Sequence, residues 1–433
     1  MLLVYTPKIT PRLTYAFKHF FTRILLIDVQ FTTKVDEFVA HSGLKITYAK
    51  QPLGTEFFIQ SHDLLFQQGV GDVTIKVSDW DNTKCFFKVS EKSLIPFDVF
   101  AASFYLLSRY EEYLPHVKDK YERFPAEESV AFKNDFLEQP VIDIWAFKVR
   151  EKLQERFTDF SFKDKKFEFI STIDVDSAYS FKHKGIVRNL GGFLKDLSQL
   201  KLRNFWFRLL VLLNFRDDPF DNFDWLLKMK KKHNVSMIFF FLLSEYTTYD
   251  KNISVNNSAF RSLIKSIADY VPVGLHPSYF TMRNAQKLKK EKERLENIIN
   301  TPITKTRQHF LRVNFPETFQ NLVDLEVSED YSMGYASQIG FRASTCTPFY
   351  FYDLQYEIQT PLKLIPFAIM DVTLKDYLKY SNRKTLATIL QVANNVKKVN
   401  GTFVTLLHNE TFDKYSRFKG WKLMYEKMVK ALE

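Results

Sequence analysis

Short apolar runs and helical patterns share the first 160 residues of the chain. The opening run, Leu2 to Tyr5, has the length of a buried strand, and a helical pattern follows it. Further predicted strands are Leu44 to Ala49, Phe57 to Gln60, Val73 to Val77 and Cys85 to Val89. Two helical patterns, Asp98 to Leu114 and Ile142 to Phe157, close the segment. The pattern predicts a small mixed α/β domain over residues 1–160.

From about residue 166 the pattern changes to strands and helices in alternation. The predicted strands are Phe167 to Ile173, Val235 to Leu243, Val271 to Leu275, Ile303 to Val313, Leu362 to Ile369 and Gly401 to Leu407. The predicted helices are Phe223 to Lys232, Ala259 to Tyr270, Ala285 to Ile299, Glu317 to Leu325 and Arg383 to Val396. Repeated βα units are typical of a parallel sheet or barrel. We predict a (β/α) barrel over residues 166–433, with the domain boundary at the charge cluster Lys163 to Lys166.

Polar side chains occur where several of these strands end, which is where such folds carry their chemistry. The residues at these positions are Asp174, Asp176, His276, Arg307, His309 and His408. Arg307 and His309 alternate onto one face of their predicted strand. Two histidines and a carboxylate form a common metal set that leaves coordination positions open for water and substrate. The joint placement of three histidines with two aspartates therefore indicates a metal-dependent hydrolytic site.

The chain is basic, with 61 Lys plus Arg against 50 Asp plus Glu and a formal net charge of +11. We interpret this excess as spread along the chain. The basic stretches Lys228 to Lys232 and Lys287 to Arg294 lie in helical patterns, which favours solvated helix faces over a nucleic-acid surface. The cluster of Arg109, Glu111 and Glu112 is interpreted in the same way, as a structural feature of a helix surface.

The remaining composition favours a cytoplasmic protein without a membrane span. Pro7 and Pro11 follow closely on the first apolar run, so the basic segment and apolar core of a secretory signal are missing. The longest apolar runs fall well short of the ~20 residues that a membrane span requires. Cys85 and Cys346 lie far apart and show no zinc-ligand spacing, so we expect two reduced thiols.

Residues 166–433 resemble the polysaccharide deacetylase superfamily, carbohydrate esterase family four. Four short stretches are similar to its motifs: Thr172-Ile173-Asp174-Val175-Asp176, His276-Pro277, Arg307-Gln308-His309-Phe310 and Leu407-His408. The stretch Asp330-Tyr331-Ser332-Met333-Gly334, with Gly340-Phe341-Arg342, resembles a loop of a bacterial subgroup that also carries an N-terminal domain of unknown role. The subgroup likeness extends over nearly the whole chain.

The resemblance implies a distorted (β/α) barrel that removes an acetyl group from an N-acetylated sugar of a polysaccharide or its precursor. It implies that Asp174 is the catalytic base and that Arg307 orients it. Asp176 would be a metal ligand, and His408 the general acid. The substrate would be an N-acetylated sugar or glycan of a cell-envelope polysaccharide.

The second motif departs from the family pattern. The family has two histidines four apart, and the position four before His276 is Pro272. His309 is the candidate replacement, so the expected ligands of a divalent metal, with zinc as the expected ion, are Asp176, His276 and His309. Tyr279 and Arg342 are expected to contact the substrate.

Two other functions stay open from the sequence. Carboxylates in a DxD pattern after an apolar strand also fit a glycosyltransferase that holds a divalent ion against a nucleotide-sugar diphosphate. That class leaves the three strand-end histidines unexplained. The altered second motif also fits a non-catalytic protein that has lost the metal and binds a glycan or a partner protein.

Overall fold

The computed structural model of the chain describes residues 1–415 and 417–433. The strands are β1 (Leu2–Tyr5), β2 (Val29–Thr32), β3 (Leu44–Ala49), β4 (Phe58–Gln60), β5 (Ser78–Trp80), β6 (Thr83–Cys85), β7 (Glu168–Val175), β8 (Ser236–Phe241), β9 (Val273–Leu275), β10 (Lys305–Thr306), β11 (Glu329–Met333), β12 (Phe349–Asp353), β13 (Ile358–Pro366), β14 (Ile369–Met370) and β15 (Thr402–His408). The α-helices are α1 (Pro11–Phe17), α2 (Val35–Ala40), α3 (Val99–Leu107), α4 (Tyr110–Tyr113), α5 (Val130–Lys133), α6 (Val141–Arg156), α7 (Ile186–Ser198), α8 (Leu202–Leu212), α9 (Phe223–His233), α10 (Ser258–Ala268), α11 (Ala285–Ile299), α12 (Glu317–Asp324), α13 (Asn382–Lys397) and α14 (Trp421–Leu432).

The chain forms two compact units, and the predicted α/β class is confirmed. Unit 1 comprises Met1–Glu168, Val313–Ala368 and Gln391–Phe403. Unit 2 comprises Phe169–Arg312, Ile369–Leu390 and Val404–Glu433. Unit 1 therefore includes two segments that the sequence analysis assigned to the C-terminal domain. The contiguous limits 1–160 and 166–433 stay a prediction.

Unit 1 contains a four-stranded parallel sheet in the order β2-β1-β3-β4. Leu2, Leu3 and Val4 in β1 are all buried, as a continuous apolar run predicts for an interior parallel strand. The buried Asp98 caps the N-terminus of helix α3, and its Oδ1 accepts the backbone N–H groups of Phe100 and Ala101. Such N-terminal caps satisfy amide donors that a helix leaves without partners.

The charged cluster at the end of α3 is buried in unit 1, so the prediction of a helix surface is wrong. Arg109 is 1% exposed and donates to both Glu111 and Glu112 at 2.8 Å. Glu112 also pairs with Arg342, which is 2% exposed. Arg109 has φ 52°, and this left-handed conformation divides the predicted helix Asp98 to Leu114 into α3 and α4.

The predicted strand over residues 73–77 is not formed. A two-stranded antiparallel hairpin of β5 and β6 follows it instead. Asp81 and Asn82 connect the two strands with φ values of 47° and 66°. Two positive φ values at the centre of a two-residue loop are typical of a type I′ turn, which asparagine and aspartate tolerate.

Unit 2 contains strands in the order β10-β9-β8-β7-β15-β14, with β15 entering the unit at Val404. The pairs β7–β8, β8–β9, β9–β10 and β14–β15 are parallel. Parallel strands present their carboxyl ends at one edge of the sheet. The loops after β7, β9, β10, β14 and β15 therefore meet along that edge.

Gly274 in the short strand β9 is required by close packing. A Cβ atom at this position would lie 2.6 Å from the ring of Phe240 and 2.7 Å from the carbonyl oxygen of Lys305. No larger residue fits without moving β8 or β10. The glycine therefore allows the strand that ends at His276 to lie between its neighbours.

Among residues 1–415 and 417–433, none of the helices combines the length and the apolar character needed to cross a bilayer.

Asp143 on α6 should be important for the stability of unit 1. Its carboxylate, 0% exposed, accepts the hydroxyl groups of Thr345 and Thr347 and the backbone N–H of Cys346. Asp143→Ala leaves buried donors without an acceptor, so we expect the free energy of unfolding to fall by about 3 kcal/mol. Urea denaturation monitored by circular dichroism measures this change.

Glu151→Ala is the matched control, because Glu151 lies on the same helix and is exposed. We expect its effect to stay within about 0.5 kcal/mol of wild type. Equal effects of the two substitutions would contradict the role assigned to Asp143.

Candidate metal centre

The strand-end residues of unit 2 come together around Asp176, one residue beyond β7. His276 follows β9, His309 lies in a short 3₁₀ turn after β10, and His408 is the last residue of β15. The parallel order of these strands explains the convergence, because all of their carboxyl ends lie at one edge.

Asp176 faces the imidazole rings of two histidines at close range. Its Oδ1 lies 3.3 Å from Nε2 of His276, and its Oδ2 lies 3.4 Å from Nε2 of His309. One ligand atom from each of the three residues lies within 4.8 Å of the other two. The Oδ1 atom is buried and makes no hydrogen bond within the described part of the chain, although the side chain is 38% exposed. A divalent metal ion would satisfy this group of atoms.

Both rings are held by acceptors on their far side. Nδ1 of His276 donates to the backbone carbonyl of Arg307, which can only accept. The Nδ1 atom of His309 lies 2.8 Å from Oδ1 of Asp250. With the proton on Nδ1, the neutral ring presents a lone pair at Nε2. This is the usual orientation of metal-binding histidines.

Asp250 is part of the site although no sequence pattern indicated it. Its carboxylate is buried and also accepts the backbone N–H of Tyr279 at 3.0 Å and the hydroxyl of Thr247 at 2.9 Å. Asp250 lies in the loop after β8, where neither strand nor helix periodicity identifies it. Only the folded chain shows that it contacts His309.

Asp174 and Arg307 form a buried pair beside the histidines. Nη1 of Arg307 lies 3.0 Å from Oδ1 of Asp174 and also donates to the hydroxyl of Thr172. The other carboxylate oxygen of Asp174 lies 3.8 Å from Nε2 of His276. The two side chains are 2% and 0% exposed. The guanidinium group therefore neutralises and orients a carboxylate that points towards the candidate ligands.

His408 approaches Asp176 from the other side, with its Nε2 3.9 Å from Oδ2 of the carboxylate. Its Nδ1 lies 2.9 Å from Oδ1 of the buried Asp371, whose Oδ2 accepts the backbone N–H of His408 at 2.7 Å. Thr411 also donates to Asp371. Asp371 directly follows β14, so the strand-end rule that indicated the other residues applies to it as well.

The carboxylates around the rings dominate the electrostatics of the site. Burial alone would lower the pKa of His309, but Asp176 and Asp250 raise it to about 9. Burial likewise opposes the charged form of His408, whose pKa Asp371 nevertheless holds well above its usual value. Burial favours protonated Asp176, yet the neighbouring histidines, first of all His309, hold its pKa well below the usual range. The carboxylates of the site therefore favour positive charge, whether it is a proton on a ring or a bound cation.

The two expected substrate contacts have other partners in the structure. The Tyr279 ring is 7% exposed, stacks on Tyr249 at a centroid distance of 3.8 Å and has the Arg312 guanidinium 3.8 Å from its centre. Arg342 belongs to unit 1, where it pairs with Glu112. The backbone N–H of Tyr279 also donates to Asp250, which contacts His309. Substrate binding by Tyr279 and Arg342 stays a prediction.

Comparisons with known proteins give one family-model match and several similar solved structures. Residues 2–158 match a family of unknown function, DUF7033. No curated protein is a significant match. Among solved structures, the chain is similar to a putative polysaccharide deacetylase from Mycobacterium smegmatis, with 14% identity, a TM-score of 0.41 and coverage of 62% of this chain and 85% of that one.

Two further structures show a similar level of likeness. A probable polysaccharide deacetylase from Pseudomonas aeruginosa has 10% identity, a TM-score of 0.38 and coverage of 61% and 83%. BA3943, a CE4 family pseudoenzyme from Bacillus anthracis, has 12% identity, a TM-score of 0.32 and coverage of 62% and 61%. The chain thus spans less than two thirds of the length of BA3943. Likeness at these values assigns no activity to this chain.

The pKa of His408 should depend on Asp371. Asp371→Asn keeps a similar shape but removes the negative charge, so we expect the pKa of His408 to fall in the metal-free protein. Histidine ring signals followed by NMR during a pH titration measure the change.

Asp376→Asn is the control, because Asp376 is partly exposed and pairs with Arg417 instead. It should leave the titration of His408 unchanged. If His408 titrates alike in wild type and Asp371→Asn, the carboxylate does not hold the charged ring.

Proposed function

We propose that unit 2 is a metal-dependent hydrolase that removes an acetyl group from an N-acetylated sugar of a polysaccharide or its precursor, on a barrel of the deacetylase type. The proposal rests chiefly on one arrangement: Asp176, His276 and His309 lie close together. The buried carboxylate of Asp174 lies on one side of them, and His408, held by Asp371, lies on the other. The choice of an N-acetylated sugar comes from the motif resemblance of residues 166–433. The site geometry supports hydrolysis of an amide in general.

Asp176, His276 and His309 fit a divalent metal of the zinc type. They offer one carboxylate and two imidazole Nε2 atoms, a ligand set that leaves coordination positions open in catalytic sites. Their partners, the Arg307 carbonyl and the Asp250 carboxylate, fix the ring orientations before an ion binds. When bound, such an ion supplies Lewis-acid polarisation of the scissile carbonyl and makes water a better nucleophile.

Asp174 is the proposed general base. Its carboxylate has Arg307 on one side and the candidate ligand His276 on the other, so a water molecule near the ligands lies within its reach. Arg307 holds the carboxylate in one orientation through the contact of its Nη1 atom with Oδ1. The base is thus ready before substrate arrives.

His408 is the proposed general acid for the departing amine. Asp371 accepts from Nδ1 and stabilises the protonated ring, and Nε2 faces the Asp176 cluster. A protonated His408 can therefore give its Nε2 proton to the leaving nitrogen as the bond to the acetyl carbon breaks. Asp174 would take one proton from water, and His408 would give a different proton to the amine.

The metal content of purified protein tests the ligand assignment. We expect about one equivalent of divalent metal in wild type and a loss of at least about tenfold in affinity in Asp176→Ala, His276→Ala and His309→Ala. Elemental analysis and metal titration measure these values. His183→Ala, which removes an exposed histidine of unit 2, is the control and should keep its metal.

Acetate release from N-acetylated oligosaccharides tests the catalytic roles. Asp174→Asn and His408→Ala should keep the metal but lose about 10²-fold or more in kcat, because each removes one proton-transfer group. Wild type that binds metal but releases no acetate from any N-acetylated sugar would contradict the deacetylase assignment. Wild type that stays metal-free under metal titration would instead favour the non-catalytic binding protein.

A further inference from the structure

Helices α7 and α8 belong to a basic hairpin of unit 2, residues 182–216, that follows β7 and precedes α9. The hairpin begins six residues after Asp176. The proposed metal chemistry uses none of its side chains.

Large apolar side chains are exposed at unusual density on this hairpin. Of the 27 exposed large hydrophobic side chains in the described residues, ten lie between residues 186 and 215. They are Ile186, Val187, Leu190, Leu194, Leu197, Leu200, Leu202, Trp206, Leu213 and Phe215. Ile186 and Val187 are more than four-fifths exposed. A soluble surface rarely collects such a patch unless something covers it.

The exposed residues of α7 lie on one helical face. Ile186, Leu190, Leu194 and Leu197 follow the spacing i, i+4, i+8 and i+11, which brings side chains to the same side. The only buried residue of α7 is Asp196, and the only one of α8 is Val211. The apolar face of α7 is therefore turned to the surroundings of the protein instead of to its core.

Positive charge is concentrated on the same segment, so the interpretation of an excess spread along the chain is wrong. Residues 182–216 contain eight Lys or Arg and one Asp, a net charge of +7 out of the +11 of the chain. The single acidic residue, Asp196, is neutralised by Arg208, whose Nη2 lies 3.0 Å away. The hairpin thus presents apolar side chains and an excess of cations together.

The hairpin is attached firmly at its base. Arg188 donates to the carbonyl of Asn252 at 2.9 Å and lies over the ring of Tyr246. Asp218 accepts the backbone N–H groups of three consecutive residues, Ser180, Phe181 and Lys182. These contacts hold both ends of the segment.

The base is also connected to a strand end of the metal centre. Asn409, the neighbour of His408 in the chain, donates to the carbonyls of Ser177 and Phe220, which flank the hairpin. A surface bound by the hairpin would therefore be linked to the loops that carry the candidate site. This connection lies entirely within unit 2.

We propose that the basic hairpin docks on the surface of a membrane that contains anionic lipids. The apolar face of α7, with Trp206 and Phe215, would enter the boundary between headgroups and acyl chains, and the lysines and arginines would contact lipid phosphates. A helical segment with large apolar residues and cationic neighbours is typical of proteins that lie on a bilayer without crossing it. The proposal does not rest on the deacetylase function.

The charge and the apolar patch together favour lipid over two other occupants. A second copy of the hairpin would bring two segments of net charge +7 together, which costs electrostatic energy. A nucleic acid would use the cations but would leave exposed leucine, isoleucine and valine in water. An anionic bilayer complements both features.

Vesicle binding by the full-length protein tests the proposal. The probes are vesicles of phosphatidylcholine alone and vesicles with about one third phosphatidylglycerol, at about 0.15 M salt, analysed by flotation. We expect wild type to float with the anionic vesicles. The double variants Leu190→Ser/Leu194→Ser and Lys201→Glu/Arg203→Glu should each weaken binding by about tenfold or more.

Matched controls separate the hairpin from general charge and hydrophobicity. Lys228→Glu/Lys231→Glu changes two lysines of α9, and Val117→Ser/Tyr270→Ser removes two exposed apolar side chains elsewhere. Both should bind like wild type. The tryptophan fluorescence of wild type should shift to shorter wavelength with anionic vesicles, and Trp206→Phe should remove that shift. This measurement tests insertion into the bilayer without relying on the charge variants.

Several results would overturn the proposal. One is wild type that does not float with anionic vesicles; another is floating that the hairpin variants leave unchanged while they retain the unfolding midpoint of wild type. Binding to duplex DNA without vesicle binding would assign the cations to nucleic acid. A wild-type dimer that Leu190→Ser/Leu194→Ser converts to monomer, again without vesicle binding, would assign the apolar face to a second copy.

Discussion

The candidate site depends on one carboxylate that three imidazole rings face. Nε2 of His276, His309 and His408 lie 3.3, 3.4 and 3.9 Å from the oxygens of Asp176. Each ring is fixed through Nδ1 by an acceptor on its far side. A charged group that is buried without a partner destabilises the folded state. The surrounding carboxylates and Arg307 supply such partners to the charged groups of this cluster. The same carboxylates make the centre attractive to a cation.

The strand order of unit 2 creates the conditions for this cluster. β7 lies between β8 and β15, so Asp174 and Asp176 emerge with neighbours on both sides. Parallel pairing then brings the polar residues after β9, β10 and β15 to the same edge. Gly274 permits the tight spacing of β8, β9 and β10. The segment that follows β7 adds an exposed basic and apolar hairpin near the same edge.

Sequence reasoning identified the candidate residues that follow apolar strands, and missed Asp250 and Asp371, which hold two of the histidine rings. Asp371 follows β14 and the same rule applies to it, but its short strand was merged into a longer predicted run. Asp250 lies in a loop after β8, and no local pattern marks it. The charge of the hairpin was readable by counting residues 182–216, yet only the exposure of Leu190 and its neighbours separated this segment from ordinary helices with buried apolar faces.

The sequence by itself determined the α/β class, the alternation of strands and helices after residue 166 and the residues at the strand ends, because hydrophobic periodicity and strand-end position are local properties. Tertiary structure decided which carboxylate holds which ring, that Arg109 and Glu112 are buried, and that the apolar face of α7 has no core to cover it. These outcomes depend on which segments meet in space. Contacts such as His309 with Asp250, 59 residues apart, have no local signature because the fold of the intervening chain sets them.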